Sequence, residues 1–333
     1  MKKKTRIILY VVLPLTLILM FFVIPMIVAK VVNDMLFKKR SEVKEVFKLS
    51  VEDYPNLKCE DYIFKSNNDI DLHGYLYSSD TLTPKGVVIY SHGYNAGGSN
   101  STMMFADYFV SNDYYYFSYD ATANGASGGN NQKGLVQGVL DLDKAISCGK
   151  TIDKTKEYPI MLLGHSWGGY NVGAVLKYHP DVKAICSLSG FNSALDLMAS
   201  SAKKKVGSFL TNATLPYLKL YENWVFGSNY KLNAIDGFNS SNCNCLIIHS
   251  SDDKVIDMDY GYSKYYKIYK DNSRFSFIKL ENKGHGYVFL NDSARVMVEE
   301  YEKGDKPFNK DLYINGLDTD LFDKIMLFFN NSL

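Results

Sequence analysis

Cysteine is scarce and a charge imbalance is absent. The 333 residues hold five cysteines (59, 148, 186, 243 and 245), an odd number without the density of a disulfide framework. Cys243-Asn244-Cys245 has neither a second cysteine pair nor clustered histidines around it, so no metal site is expected, and no motif calls for an organic cofactor. The formal net charge is +1, with Lys and Arg dispersed, which excludes the basic footprint of a nucleic-acid-binding protein. No internal repeat is present. Against these absences stands a hydrophobic content of 46%, enough for one large α/β domain with a sizeable core plus an appendage.

The appendage is at the N-terminus. Ile7 to Ala29 is an almost unbroken apolar run of 23 residues. As a helix it would be roughly 35 Å long, against about 30 Å of bilayer hydrocarbon. Pro14 and Pro25 are tolerated in such helices, and Lys2, Lys3, Lys4 and Arg6 precede the run. Ile27-Val28-Ala29-Lys30-Val31 offers no small-residue cleavage site, which favours an uncleaved single-pass anchor over a signal peptide. Lys30, Lys38, Lys39, Arg40 and Lys44 nearly balance the charges before the run. A short charged tail is costly to translocate, so the expected arrangement has the N-terminus inside and the main domain outside. Residues 1–29 thus read as cytoplasmic tail and transmembrane anchor, 30–45 as a charged, irregular juxtamembrane linker, and 46–333 as the folded domain.

Within that domain the run Tyr158-Pro-Ile-Met-Leu-Leu-Gly-His-Ser-Trp-Gly-Gly-Tyr170 reads as strand, tight turn, helix. Ile160 to Leu163 is a buried strand, and Val172, Val175 and Leu176 recur at helical spacing until His179-Pro180. Ser166 falls on the turn between them, flanked by Gly164 and Gly168, the small residues a strained strand-to-helix turn needs. The backbone N–H of Trp167, opening the helix, would point where an oxyanion forms. Gly125-Ala126-Ser127-Gly128-Gly129 matches the same Gly-x-Ser-x-Gly pattern, but no strand runs into it and it reads as a loop.

Elsewhere strands and helices alternate. Asp61–Ser66 and Ile70–Tyr77 read as a hairpin; Gly86–Ser91, Tyr114–Tyr119, Ala184–Leu188, Leu246–His249 and Phe275–Leu280 as further strands; Met103–Val110, Gln132–Ser147, Asp257–Tyr269 and a segment from Thr319 as helices. This order predicts a mostly parallel central sheet with helices on both faces. Residues 191–242, with Phe209, Leu210, Leu215, Tyr217, Leu218, Trp224 and Phe226, are too apolar for a solvated loop and read as a helical cap insertion over a site, or as a layer covering the sheet edge.

A serine hydroxyl is a weak nucleophile and needs a general base, which needs an orienting acid. Asp253, with Asp252 as rival, follows the strand Leu246–His249, and His285 lies between two glycines after the last strand. The remaining histidines read as structural: His165 as a packed residue supporting the turn, His92 as shaping the loop after Ser91, His249 as a strand end, and His73 and His179 as surface or turn residues.

Taken together, Ser91-His92-Gly93-Tyr94, Gly164-His165-Ser166-Trp167-Gly168-Gly169, Asp253-Lys254-Val255 and Gly284-His285 give the chain from about residue 60 onward a resemblance to the α/β-hydrolase family of serine hydrolases, especially its membrane-anchored lipase, esterase and serine-aminopeptidase-like members. The resemblance implies the α/β-hydrolase fold, with Ser166 as nucleophile, Asp253 as acid, His285 as base, and the backbone N–H groups of Tyr94 and Trp167 as oxyanion donors. Asp253 is preferred to Asp252 because the family's acid usually stands just before an x-Val pair. Many relatives carry Asp-x-Arg-Gly-x-Gly-x-Ser after the fourth strand, where this chain has Asp120-Ala-Thr-Ala-Asn-Gly-Ala-Ser127, without the arginine. The implied activity is cleavage of a carboxylic ester of a lipid or other apolar acyl group through an acyl-enzyme. The alternatives are a peptidase, for which Glu222 and Asp236 are candidate amine-binding acids, a thioesterase, and a noncatalytic ligand-binding member of the fold.

Overall fold

The computed structural model describes residues 8–37 and 39–333. The basic residues at 2–4 and 6, Ile7 and Lys38, part of the anchor and linker readings, lie outside the described residues. Eight strands form one sheet: β1 (Lys58–Lys65), β2 (Asp71–Ser78), β3 (Gly86–Ser91), β4 (Tyr114–Tyr119), β5 (Ile160–His165), β6 (Ala184–Leu188), β7 (Asn244–Ser250) and β8 (Phe275–Leu280). Their spatial order is β1-β2-β4-β3-β5-β6-β7-β8. β1 and β2 pair antiparallel, as do β2 and β4, while every pair from β4 to β8 is parallel.

β3, β5 and β6 are buried along their whole length, as a parallel sheet covered on both faces requires. The strand period of two then sorts side chains into two cores. Val87, Ile89, Leu162, Ile185 and Ile247 pack with α3 (Val136–Gly149) and α4 (Trp167–Ala174). Val88, Tyr90, Met161, Leu163, Leu246 and Ile248 pack on the opposite face with α2 (Met103–Ser111) and α11 (Thr319–Asn330). Registers such as Ser91 with Gly164, His165 with Leu188, and Ser250 with Leu280 align the carboxyl ends of β3, β5, β7 and β8 at one edge of the sheet.

Several boundaries differ from the sequence reading for local reasons. The N-terminal helix, α1, runs from Ile8 to Phe37, long and apolar enough to cross a membrane. Its last turns enter the segment expected to be irregular, because Lys30 pairs with Asp34 one turn on and Ala29, Asn33 and Phe37, at spacing four, are buried. Val43, Phe47 and Leu49 are buried too, so the chain is packed into the domain before residue 46. α3 begins only at Val136, because Lys133, at φ +59°, holds a left-handed conformation that a right-handed helix cannot include. The helix expected from Asp257 is a short 3-10 turn, Met258–Tyr260, followed by α8 (Tyr262–Tyr269). Between them Gly261 approaches the Gly190 carbonyl so closely that a Cβ would lie 2.4 Å from it. α9 (Asp292–Lys303) and α10 (Lys310–Ile314) are additional helices between β8 and α11.

The 191–242 insertion divides in two. α7 (Ala234–Asn239) packs directly on α4, with Gly237 against the Gly173 carbonyl, and is a layer helix. α5 (Ala194–Val206) and α6 (Ser208–Phe226) project outward and leave Phe209, Leu210 and Trp224 exposed. α6 lies against α1, where the Tyr217 hydroxyl donates to the Phe21 carbonyl at 2.6 Å.

Candidate active site

Ser166 has φ 57° and ψ −112°, a conformation that side-chain-bearing residues rarely hold. Its neighbours make that turn possible. A Cβ on Gly164 would lie 2.1 Å from the Gly168 carbonyl oxygen, and one on Gly168 would lie 1.8 Å from that of Ser91, so α4 passes the ends of β5 and β3 at backbone contact. The Ser166 amide donates to the Leu188 carbonyl at 2.8 Å, tying the turn to β6. The second Gly-x-Ser-x-Gly match is a loop: buried Ser127 donates to the Asp120 carbonyl at 2.5 Å and accepts from the His73 amide at 2.8 Å.

The structure brings Ser166, His285 and Asp253 into one hydrogen-bonded chain. His285 Nε2 lies 2.8 Å from Ser166 Oγ, and His285 Nδ1 lies 2.6 Å from Asp253 Oδ2. Three residues from different sheet-edge loops meet because β5, β7 and β8 all end on that edge. Asp253 is fixed from both sides. Its Oδ1 accepts from the amides of Val255 and Ile256, each at 2.9 Å, and its Oδ2 also lies 3.2 Å from His249 Nε2. Burial alone would raise this carboxyl's pKa; the His249 and His285 hydrogen bonds outweigh it and hold the group well below the ordinary carboxylate range.

Asp252, the rival acid, points elsewhere. Its Oδ1 accepts from Ser250 Oγ at 2.5 Å and from the Gly284 amide at 3.1 Å, so it pins the loop that carries His285. Gly284 has φ +59°, a conformation glycine adopts freely, which lets that loop turn back toward Ser166. His165 serves the same loop: its Nε2 lies 2.9 Å from the His285 carbonyl, and burial, with the nearby His285, pushes its pKa down to about 3, so it is neutral and donates there. His92 Nε2 accepts from the Ala121 amide at 3.1 Å, which leaves Nδ1–H to donate to the Gly93 carbonyl at 2.8 Å. It thereby shapes the loop after β3, as expected.

The amides of Trp167, first in α4, and of Tyr94 have no acceptor among the described residues. Gly93 brings that loop beside the serine: a Cβ on it would stand 3.6 Å from Ser166 Cβ. The Tyr94 and Trp167 rings meet edge-on, with centroids 6.0 Å apart. Of the two candidate amine-binding acids, Asp236 is exposed and closes the N-terminal turn of α7 with Asn233. Glu222 on α6 is 3% exposed, its Oε1 has no hydrogen-bond partner, and burial pushes its pKa up to about 7. The contact of His165 with the His285 carbonyl is not foreseen by local pattern, since it joins segments set together only by the sheet, whereas that of His249 with Asp253 spans four residues at the end of β7. Among the described residues no cluster of His, Cys, Asp and Glu is suited to a metal ion, and all five cysteines are free thiols.

Residues 83–236 match the serine aminopeptidase S33 family model. No curated protein matches the chain by sequence. Among solved structures, the chain is similar to an esterase of Pyrococcus furiosus, with a TM-score of 0.58 and 18% identity over 81% of this chain and 95% of that one. It is similar to the acylaminoacyl peptidase of Pyrococcus horikoshii, with a TM-score of 0.57 and 17% identity, covering 85% of this chain but 43% of the peptidase. A third likeness is to acetyl xylan esterase 1 of a Thermoanaerobacterium species, with a TM-score of 0.54 and 15% identity over 79% of this chain and 95% of the esterase. At these identities the likeness is one of fold, and the fold is that of the α/β-hydrolases.

Proposed function

We propose that this α/β-hydrolase-fold protein is a serine hydrolase that cleaves a carboxylic ester with an apolar acyl group by way of an acyl-enzyme. The observation that carries the reading is the unbroken chain from Ser166 Oγ through His285 to Asp253, at 2.8 Å and 2.6 Å. Ser166 Oγ attacks the ester carbonyl carbon while His285 Nε2 takes its proton. The ionised Asp253 accepts from Nδ1–H, which keeps Nε2 unprotonated in the resting state and stabilises the imidazolium that forms. Charge moves to the carbonyl oxygen, where the amides of Tyr94 and Trp167 donate to it. His285 returns the proton to the leaving alcohol, then activates water against the acyl-serine, and the acid departs as the Ser166 hydroxyl is restored.

The apolar acyl preference is supported by the exposed Phe209, Leu210 and Trp224 of α6 and by the contact of α6 with α1. In this reading α1 is a single-pass membrane anchor, and the hydrolase domain lies on the extracytoplasmic side. A second reading, an aminopeptidase-like activity, is favoured by one observation, the buried and unpartnered Glu222 carboxyl oxygen, which a substrate ammonium group could satisfy. Assay of the full chain in detergent against p-nitrophenyl esters of graded chain length, beside an aminoacyl anilide, separates the two. Faster turnover of medium or long acyl esters supports the first reading, and preference for the anilide, lost in Glu222→Gln, supports the second.

A further inference from the structure

The loop after β3 runs through left-handed backbone, with φ +56° at Asn95, +82° at Gly97 and +140° at Gly98, and the cost in free energy falls on Asn95, which carries a side chain. The loop after β4 does the same, with φ +59° at Ala123, +47° at Gly125 and +94° at Gly129. Asp120 links the two from below, accepting from the Ser99 amide at 2.8 Å and from the Ala126 amide at 2.8 Å. What closes them from above is the chain that leaves α1.

Arg40 donates to three carbonyls of the second loop: Nη1 to Ser127 at 2.8 Å and Gly129 at 2.7 Å, and Nη2 to Gly125 at 2.7 Å. The 120–127 segment lacks the arginine that many members of the family it resembles carry there, and here a guanidinium arrives from more than eighty residues upstream. Ser41 extends the contact, its amide donating to the Ala123 carbonyl at 2.9 Å and its carbonyl accepting from the Gly125 amide at 3.1 Å. The first loop is held as closely: a Cβ on Gly97 would stand 2.2 Å from the backbone joining Glu42 to Val43. At the end of α1, the Tyr94 hydroxyl donates to the Leu36 carbonyl, and the Phe37 ring meets the Tyr94 ring edge-on at 5.7 Å. The Gln132 amide donates to the Phe37 carbonyl at 2.9 Å, and Asn33 Nδ2 to the Lys133 carbonyl at 3.0 Å.

We infer that residues 33–43, the end of the apolar helix and the segment leaving it, are a positioning element of the active site, with Arg40 at its centre. This rests on the serine-hydrolase reading above. Tyr94 stands between Phe37 on one side and Trp167 on the other, so the residues bearing both proposed oxyanion amides are referenced to the anchor. Anchor and oxyanion side are one construction. A lysine at 40 keeps the charge but has no planar fork with which to hold three carbonyls at once.

The test uses the full chain in detergent, as Arg40→Ala and Arg40→Lys, with Lys156→Ala as an exposed remote control. Expected for the first two is a fall in kcat of about tenfold to a hundredfold, short of losing a whole oxyanion donor, with KM and melting temperature close to wild type. Amide exchange should quicken at 93–99 and 122–129 in Arg40→Ala while α3 keeps its protection, and Arg40→Lys should behave more like Ala than like wild type. Wild-type kcat and wild-type exchange in Arg40→Ala would overturn the inference. So would a kcat loss matched by global melting, because the segment would then be ordinary structural support. If even wild type turns over no substrate, the hydrolase reading is what fails; exchange still decides whether Arg40 positions the two loops.

Discussion

Replacing Asp253 by Asn changes almost nothing in shape and should nearly abolish turnover. In the folded protein Asp253 Oδ1 accepts from two backbone amides, Val255 and Ile256, both at 2.9 Å. An asparagine must keep its carbonyl oxygen at that position, because an amide NH2 there would face two donors. Its NH2 is therefore forced to the Oδ2 site, 2.6 Å from His285 Nδ1. Nδ1 must then accept, the imidazole proton moves to Nε2, and Nε2–H points at Ser166 Oγ, from which it can no longer take a proton. The expected loss in kcat is about 10⁴-fold, or about 5.5 kcal/mol of barrier. Asp253→Ala, which deletes the partner rather than inverting it, should be no worse than Asn despite being the larger structural change. Steady-state kinetics on a p-nitrophenyl ester, with near-UV circular dichroism to confirm folding, measures both. An Asn variant within tenfold of wild type would refute the tautomer reasoning and with it the role assigned to Asp253.

Gly168→Ala should destabilise by at least about 3 kcal/mol, since the new Cβ would lie 1.8 Å from the Ser91 carbonyl oxygen and neither backbone can yield; thermal melting reads it. Glu222 has its pKa raised by burial to about 7, so the folded state holds a proton that the unfolded state releases near 4.5, and stability falls as pH rises between those values. The ceiling on that loss is about 3 kcal/mol. Glu222→Gln should therefore unfold at higher denaturant than wild type at pH 8 and match it near pH 4, and parallel curves would refute the burial argument. The two tryptophans differ sharply, Trp224 on α6 being 72% exposed and Trp167 1%. In proteoliposomes with brominated acyl chains, quenching confined to the Trp224 signal and absent in Trp224→Phe is expected if the outer cap faces lipid.

How much of this could be read from the sequence depended on how local each feature is. β3 carries the bounds expected of it because it is a short apolar run between turn residues, and α11 starts at Thr319 because one apolar stripe serves one buried face. The turn at Ser166 was legible from two glycines whose close contacts with Gly168 and Ser91 explain their presence. α9 was not, since it buries only Ala294, Met297 and Val298, too narrow a stripe to stand out from charged surroundings. The clasp of Arg40 on residues 125–129 had no local signal at all. Nothing in a charged stretch after an apolar helix says that one guanidinium will be consumed by carbonyls on a distant loop. For the same reason residues 30–37 read as irregular: the burial of Asn33 and Phe37 is created by the domain they pack on.

The most direct measurement is labelling of the full chain with a fluorophosphonate, alongside p-nitrophenyl ester turnover, for wild type and Ser166→Ala. Covalent labelling at Ser166 in wild type, none in the variant, and a kcat lower in the variant by several orders of magnitude is the expected result. A wild-type chain that neither labels nor turns over any ester, anilide or thioester would contradict the hydrolase reading and leave a ligand-binding member of the fold in its place.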